Sequence, residues 1–335
     1  MSAKVSEARE HIKAAEKYLK TTLLRWKPDF DSAAEEYSQA AQCFRVARDS
    51  TNSKECYLKA HEYFKKTGAL FHAGKSMESA MMVAKEVLTP PEIYELATGA
   101  SQLYQQHGSG DSGAVILEKG ARMVEEQCPE MAARLLQQAA DASSIQSGQH
   151  QGMEYIGKAS RILVKLQRYE EAADSIRREI GYHLEAGNTG AVGRLTVAMV
   201  LVHLARGDIV AAEKVYKEWG NNCESPEVYT LEQLLQAFDE EDPETAKKAL
   251  SSPFIRSMDV EYARLANTIP LPQGLDLVPK AMIRENATAS YISPNEPSTV
   301  DELDVQHVEI GEQDRDTQGV AEKTKDASDD EEQLC

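Results

Sequence analysis

Between Phe30 and Phe44 the stretch FDSAAEEYSQAAQCF sets its apolar and small residues at Phe30, Ala33, Ala34, Tyr37, Ala40, Ala41 and Phe44. Steps of three and four put them on one helix face. The phrase returns as Tyr169, Ala172 and Ile176, and again as Ile209, Ala212 and Tyr216. Alanines let a neighbouring helix come close, and the large residues fill the gaps beside them. Such a helix cannot bury its face alone, so neighbours in sequence become neighbours in space. Turn-forming stretches recur along the chain: RDSTNS (48–53), KKTG (65–68), TPP (89–91), HGSGDSG (107–113), QCPE (127–130) and SGQHQG (147–152). LQRY (166–169), EAGNTG (185–190), ARGD (205–208), WGNNCESP (219–226), EEDP (240–243) and SSP (251–253) continue the series. The segments between them predict about 14 helices.

A large residue, a small one three later and a large one four after that is tetratricopeptide-like grammar. The expected fold is all-α: a tetratricopeptide-like, right-handed solenoid of helical hairpins over residues 1–224, with a period of roughly 40 residues. LEQLLQAFDEED (231–242) reads as part of a C-terminal helical bundle over 225–270. After Ile269, Pro270, Pro272, Pro279, Pro294 and Pro297 interrupt any helix, and the acidic run that follows has no repeating apolar face. Residues 271–335 are therefore expected to form a disordered acidic tail. The first helix is predicted from Ser2 to Leu24, ending in Leu23, Leu24, Arg25, Trp26, Lys27 and Pro28. These apolar residues read either as a plug for the end of the solenoid or as a loop touching lipid, with Trp26 at headgroup level.

Composition narrows the class. The longest apolar run, Leu195 to Ala205, is about half of what a spanning helix needs and contains His203. The N-terminus is an amphipathic, charged helix, unlike a signal peptide. Cys43, Cys56, Cys128, Cys223 and Cys335 show neither a CxxC pair nor a disulfide framework. The expectation is a soluble, cytoplasmic protein. Residues 271–335 carry 16 acidic side chains against five basic ones, 11 of the chain's 18 net negative charges. Such acidity argues against nucleic acid as a partner.

Candidate chemistry is sparse. GALFHAGKS (68–76) has five residues between its glycines where a phosphate-binding loop has four, and Phe71 to Ser76 falls inside a predicted helix whose amides are already used. The eight histidines form no pair with metal spacing, and no nucleophile elbow occurs. No catalytic residue, cofactor or metal ligand is expected. The cations are more informative. LEKGARMV (117–124) and IGKASRIL (156–163) align residue for residue, placing Lys119 with Arg122 and Lys158 with Arg161. Lys75 upstream and Arg194 downstream take the corresponding slots. At about one hairpin per step, stacking would turn these six residues into a positively charged ladder suited to an extended acidic partner.

KYLKTTLLRWKPDFDSAAEEYSQAA, YIGKASRILVKLQRYEEAADSI, VLVHLARGDIVAAE and LEQLLQAFDEED, with the acid-then-Leu terminus, resemble the soluble NSF attachment protein family over the whole chain. The resemblance implies a non-enzymatic adaptor in vesicle fusion and intracellular membrane traffic, including transport between endoplasmic reticulum and Golgi. It would bind a syntaxin-type SNARE four-helix bundle and recruit and stimulate the hexameric ATPase NSF for SNARE disassembly. It assigns Lys75, Lys119, Arg122, Lys158, Arg161 and Arg194 to the SNARE bundle, and Asp239, Glu240 and Leu334 to NSF. Leu23, Leu24 and Trp26 would give peripheral membrane contact. The alternative is a generic tetratricopeptide-like scaffold for peptide segments of other partners. An ATPase would rest only on the imperfect GKS match.

Overall fold

The computed structural model describes residues 2–21, 26–143 and 149–273. Leu23, Leu24, Leu334 and the whole acidic tail beyond residue 273 lie outside the described residues.

Fifteen α-helices and one 3-10 turn, with no strand, make up the described residues. The first four are α1 (Ser2–Leu19), α2 (Phe30–Val46), α3 (Ser50–Thr67) and α4 (Leu70–Val83). They are followed by α5 (Pro90–Gln106), α6 (Gly110–Val124), α7 (Pro129–Ser143) and α8 (Gln149–Lys165). Then come α9 (Tyr169–Glu185), α10 (Thr189–Ala205) and α11 (Ile209–Trp219). After them come α12 (Ser225–Asp239) and three short helices, α13 (Pro243–Leu250), α14 (Pro253–Arg256) and α15 (Val260–Ala266). From α1 to α11 each helix lies chiefly against the one before and the one after, so the stack is a helical-hairpin solenoid. Beyond it, α12 lies against α10, and α15 turns back onto α8 and α10.

Several expected boundaries move. The first helix ends at Leu19 rather than Leu24, and α3, α6 and α8 begin inside stretches read as turns. Ser, Asn, Gly and Asp in those stretches start helices as well as break them. Asp29, Asp49 and Asp208 accept from backbone amides of the next turn, and Thr89 with Glu92 forms a capping box before α5.

One turn geometry makes seven of the connections. Arg48, Gly68, Gly108, Gln167, Gly187, Gly207 and Glu241 all have positive φ, between 52° and 88°. Each directly precedes the N-cap residue of the following helix. In every case the amide of that N-cap residue reaches back five residues to a carbonyl, as from Asp49 to Phe44 and from Asp208 to His203, both at 2.9 Å. This is the Schellman closure, which satisfies the carbonyls left open at a helix end. A single residue thus ends one helix while the next one starts, and the hairpins stay tight.

The face predicted for α2 is buried as read, from Ala33 and Tyr37 through Phe44. The main core runs from Met81 to Ile269, whereas α1 to α3 contribute two small separate clusters rich in alanine. The apolar run of α10 is buried on all sides from Leu195 to Leu204, which explains its lack of a polar face there. No helix among the described residues is long and apolar enough to cross a membrane. Gly74 and Ser76 of the GKS stretch sit within α4. A Cβ on Gly74 would come within 3.3 Å of the Ala100 carbonyl, so this glycine serves helix packing.

Candidate partner-binding surface

The six cations singled out in the sequence fall on alternate helices: Lys75 on α4, Lys119 and Arg122 on α6, Lys158 and Arg161 on α8, and Arg194 on α10. Alternate helices of a hairpin stack form one layer, so the repeated register becomes a row across that layer. The row is not a bare positive surface. Carboxylates that the sequence reading passed over lie beneath it, on the same helices, and tie successive hairpins together.

Glu78 of α4 is 9% exposed and accepts from Lys75 and Lys119 at 2.9 Å each and from the Tyr104 hydroxyl at 2.8 Å. Burial alone would raise its pKa, but the hydrogen bonds from Lys119, Lys75 and Tyr104 outweigh that and hold it below the usual value. Glu118 of α6 repeats the role one hairpin later. It is 8% exposed, accepts from Arg122, and lies 3.5 Å from the Lys158 ammonium. Lys158 also holds Glu154 at 2.7 Å, which lowers the Glu154 pKa. The pattern is one acid, its own helix's cation, and a cation from the next helix of the layer.

The far end of the row is engaged by the C-terminal helices. Arg161 pairs with Asp259, the residue before α15, at 3.2 Å. Arg194 donates to the Ser257 carbonyl at 3.0 Å, and its guanidinium lies 6.0 Å from the Phe254 ring centre. Lys75, Arg122 and Arg194 are exposed, whereas Lys119, Lys158 and Arg161 are half-buried. Between α6, α8 and α15 a groove of about 250 Å³ is lined by Glu118, Arg122, Lys158, Arg161, Lys165 and Glu261, among others. Lys165 continues the cationic edge by one turn beyond the residues identified from sequence.

Behind this row Glu179 of α9 is 7% exposed, with its carboxylate 3.4 Å from the Ser160 hydroxyl. Burial raises its pKa to about 7, Arg161 opposing the shift and Asp259 adding to it. Gly157 makes room for it, since a Cβ there would stand 2.5 Å from a Glu179 carboxylate oxygen.

The other sequence-derived positions are separate from the row. Asp239 and Glu240 lie at the C-terminal end of α12, both exposed, and Glu240 accepts from Gln236 at 2.8 Å. Acids at that end oppose the helix dipole, so helix stability does not account for them. Trp26 is 87% exposed, so its indole does not fill the end of the solenoid.

The family model for soluble NSF attachment protein, SNAP, matches residues 6–252. The chain is 27% identical over 273 residues to a protein of Dictyostelium discoideum named gamma-soluble NSF attachment protein, covering 81% of this chain and 84% of that one. It is 25% identical over 272 residues to the Arabidopsis thaliana protein of the same name, covering 79% and 92%. The match spans the hairpin stack from within α1 to the end of α13 and includes every cation of the row, and by it the chain belongs to the soluble NSF attachment protein family.

Proposed function

We propose that this protein is a non-enzymatic adaptor for SNARE disassembly. It lays the α4–α6–α8–α10 layer along a syntaxin-type SNARE four-helix bundle and recruits the NSF hexamer, stimulating its ATP hydrolysis. The observation that carries this reading is the regular placement of cations one hairpin apart on a single layer, within a chain of net charge −18. The buried acids beneath them hold Lys119 and Lys158 at fixed positions, which lowers the ordering cost of meeting a rigid, acidic helical partner. Family membership and the name shared by the two relatives support NSF as the second partner.

Asp239 and Glu240 would meet a basic surface of NSF, and Leu334 would act on its ATPase from the end of the acidic segment. Trp26, with Leu23 and Leu24, would provide peripheral contact with a membrane. Within this reading the protein works in the cytoplasm, in vesicle-mediated transport, as a 1–224 solenoid followed by a 225–270 bundle and an acidic tail. The test is SNARE-dependent recruitment: NSF should be retained by the immobilised protein in the presence of an assembled SNARE bundle and much less without it. Equal retention with and without the bundle would overturn the proposal.

A further inference from the structure

The first hairpin contains a group of side chains that the adaptor reading does not use. Glu7 and His11 are four residues apart on α1 and so share one helix face. Cys43 comes to the same place from α2, 8% exposed. One ligand atom from each of the three lies within 4.8 Å of the other two. His11 Nδ1 is 2.7 Å from Oε2 of Glu36, one helical turn before Ala40 on α2. A carboxylate there accepts the Nδ1 proton and leaves the lone pair on Nε2. Such a carboxylate behind the imidazole is the usual orienting partner of a metal-bound histidine.

We propose that Glu7, His11 and Cys43 form a binding site for a borderline-soft divalent cation of the zinc type, with Glu36 as the positioning residue. A thiolate, an imidazole and one carboxylate are a donor set for zinc rather than for magnesium or calcium, which take oxygen ligands. Water would complete a tetrahedron. Bonds of about 2.0–2.3 Å put tetrahedral ligand atoms roughly 3.3–3.8 Å apart. Contraction from the present spacing is on the order of 1 Å, within reach of the partly exposed Glu7 and His11 side chains. On binding, the Cys43 thiol gives its proton to solvent. Lys4, now 2.7 Å from Oε2 of Glu7, keeps that oxygen while Oε1 turns to the metal.

The position gives the site a purpose. Helix α1 packs essentially on α2 alone, and its fully buried residues are two alanines, Ala8 and Ala15. The cluster around Ala8, Ala40, Ala41 and Cys43 is separate from the main core. Alanine faces allow the close approach that lets ligands from two helices converge, but they contribute little burial energy. A metal bridging the helices would fasten the end of the stack. None of this is visible in linear spacing, because the third ligand comes from the neighbouring helix.

The experiment uses the full chain, stripped with chelator and titrated with Zn(II) alone, with Co(II) as spectroscopic probe and Mg(II) as control. One Zn(II) per chain is expected, raising the melting temperature and slowing hydrogen exchange in α1, with no effect of Mg(II). Co(II) should show a thiolate charge-transfer band that Cys43→Ala abolishes. His11→Gln should weaken Zn(II) binding at least tenfold, and Glu36→Gln by roughly tenfold through loss of ring orientation. Cys128→Ser should leave binding unchanged. Wild-type affinity in both His11→Gln and Cys43→Ala, a Co(II) complex without the thiolate band, or loss of binding in Cys128→Ser would each overturn the site. These readouts are independent of SNARE and NSF binding.

Discussion

Lys119 of α6 reaches Glu78 of α4 at 2.9 Å, joining two hairpins across 41 residues of sequence. Lys158 and Glu118 repeat the relationship one step further along. The same cations proposed to meet the SNARE bundle therefore also hold the layer together. Replacing Lys119 by Met removes one of three partners of a nearly buried carboxylate. A loss of stability of about 1–3 kcal/mol is expected, measured by denaturant unfolding. No change would mean that Lys75 and Tyr104 satisfy Glu78 by themselves.

Binding and stability should separate at the more exposed cations. The Lys75 and Arg122 side chains are 57% and 70% exposed, and their acids keep a second cation when either is lost. Changing both to Gln should cost under about 1 kcal/mol of stability yet weaken the SNARE bundle complex. The loss should shrink as salt is added, since the Debye length falls from about 8 Å at physiological strength to about 3 Å at 1 M. A folded double variant with unchanged affinity at low salt would dismiss the row as a binding surface.

Glu179 predicts a pH dependence. Its carboxyl titrates at about 7 in the fold, against an ordinary value of 4.5. Below about pH 4.5 both states carry the proton and there is no difference. Between the two values only the folded state holds it, so stability falls as pH rises, and the full penalty remains above pH 7. At about 1.36 kcal/mol per pH unit this amounts to roughly 3 kcal/mol. Glu179→Gln should match the parent near pH 4 and exceed it in melting temperature at pH 8. Equal stability at pH 8 would show that Arg161 keeps the carboxylate ionised without cost.

The repeated turn offers a stabilising substitution. Gln167 adopts φ of 59° at a position where four of the seven equivalent turns have glycine. Left-handed backbone costs a side-chain-bearing residue about 1–2 kcal/mol. Gln167→Gly recovers part of that against the greater chain entropy of glycine when unfolded, and a gain of up to about 1 kcal/mol is expected. Thermal unfolding would decide it, a lower melting temperature contradicting the account.

Trp26, at 87% exposure, should be nearly silent in folding. Trp26→Ser is expected to change stability by no more than about 0.5 kcal/mol while lowering association with acidic liposomes. Liposome binding equal to the parent would remove the membrane role.

At the other end, Leu334→Ala should keep SNARE binding and NSF retention but lose most of the stimulation of ATP hydrolysis. A tethered segment adds effective concentration, and one apolar anchor can bias a partner's state while adding little to a larger interface. ATP turnover by NSF at saturating adaptor measures this. Undiminished turnover would assign Leu334 no role.

Much of the architecture was legible in the chain. The three-and-four spacing of Ala33, Tyr37, Ala40 and Phe44 determined a helix and its buried face, because periodicity is a local property of sequence. Recurrence of that phrase determined a stack of hairpins, and the common register of Lys119 and Lys158 placed both on one layer. Helix ends were less legible at Ser50 and Gly110, since residues that break one helix also cap the next. What only the tertiary structure decided was partnership across elements. The burial of Glu78 and Glu118 under the cations, the capture of Arg161 and Arg194 by α14 and α15, and the meeting of Cys43 with Glu7 and His11 all depend on how neighbouring helices are set against each other. Periodicity gives the face a residue lies on, whereas its partner, its burial and its charge state follow from the distance to another helix.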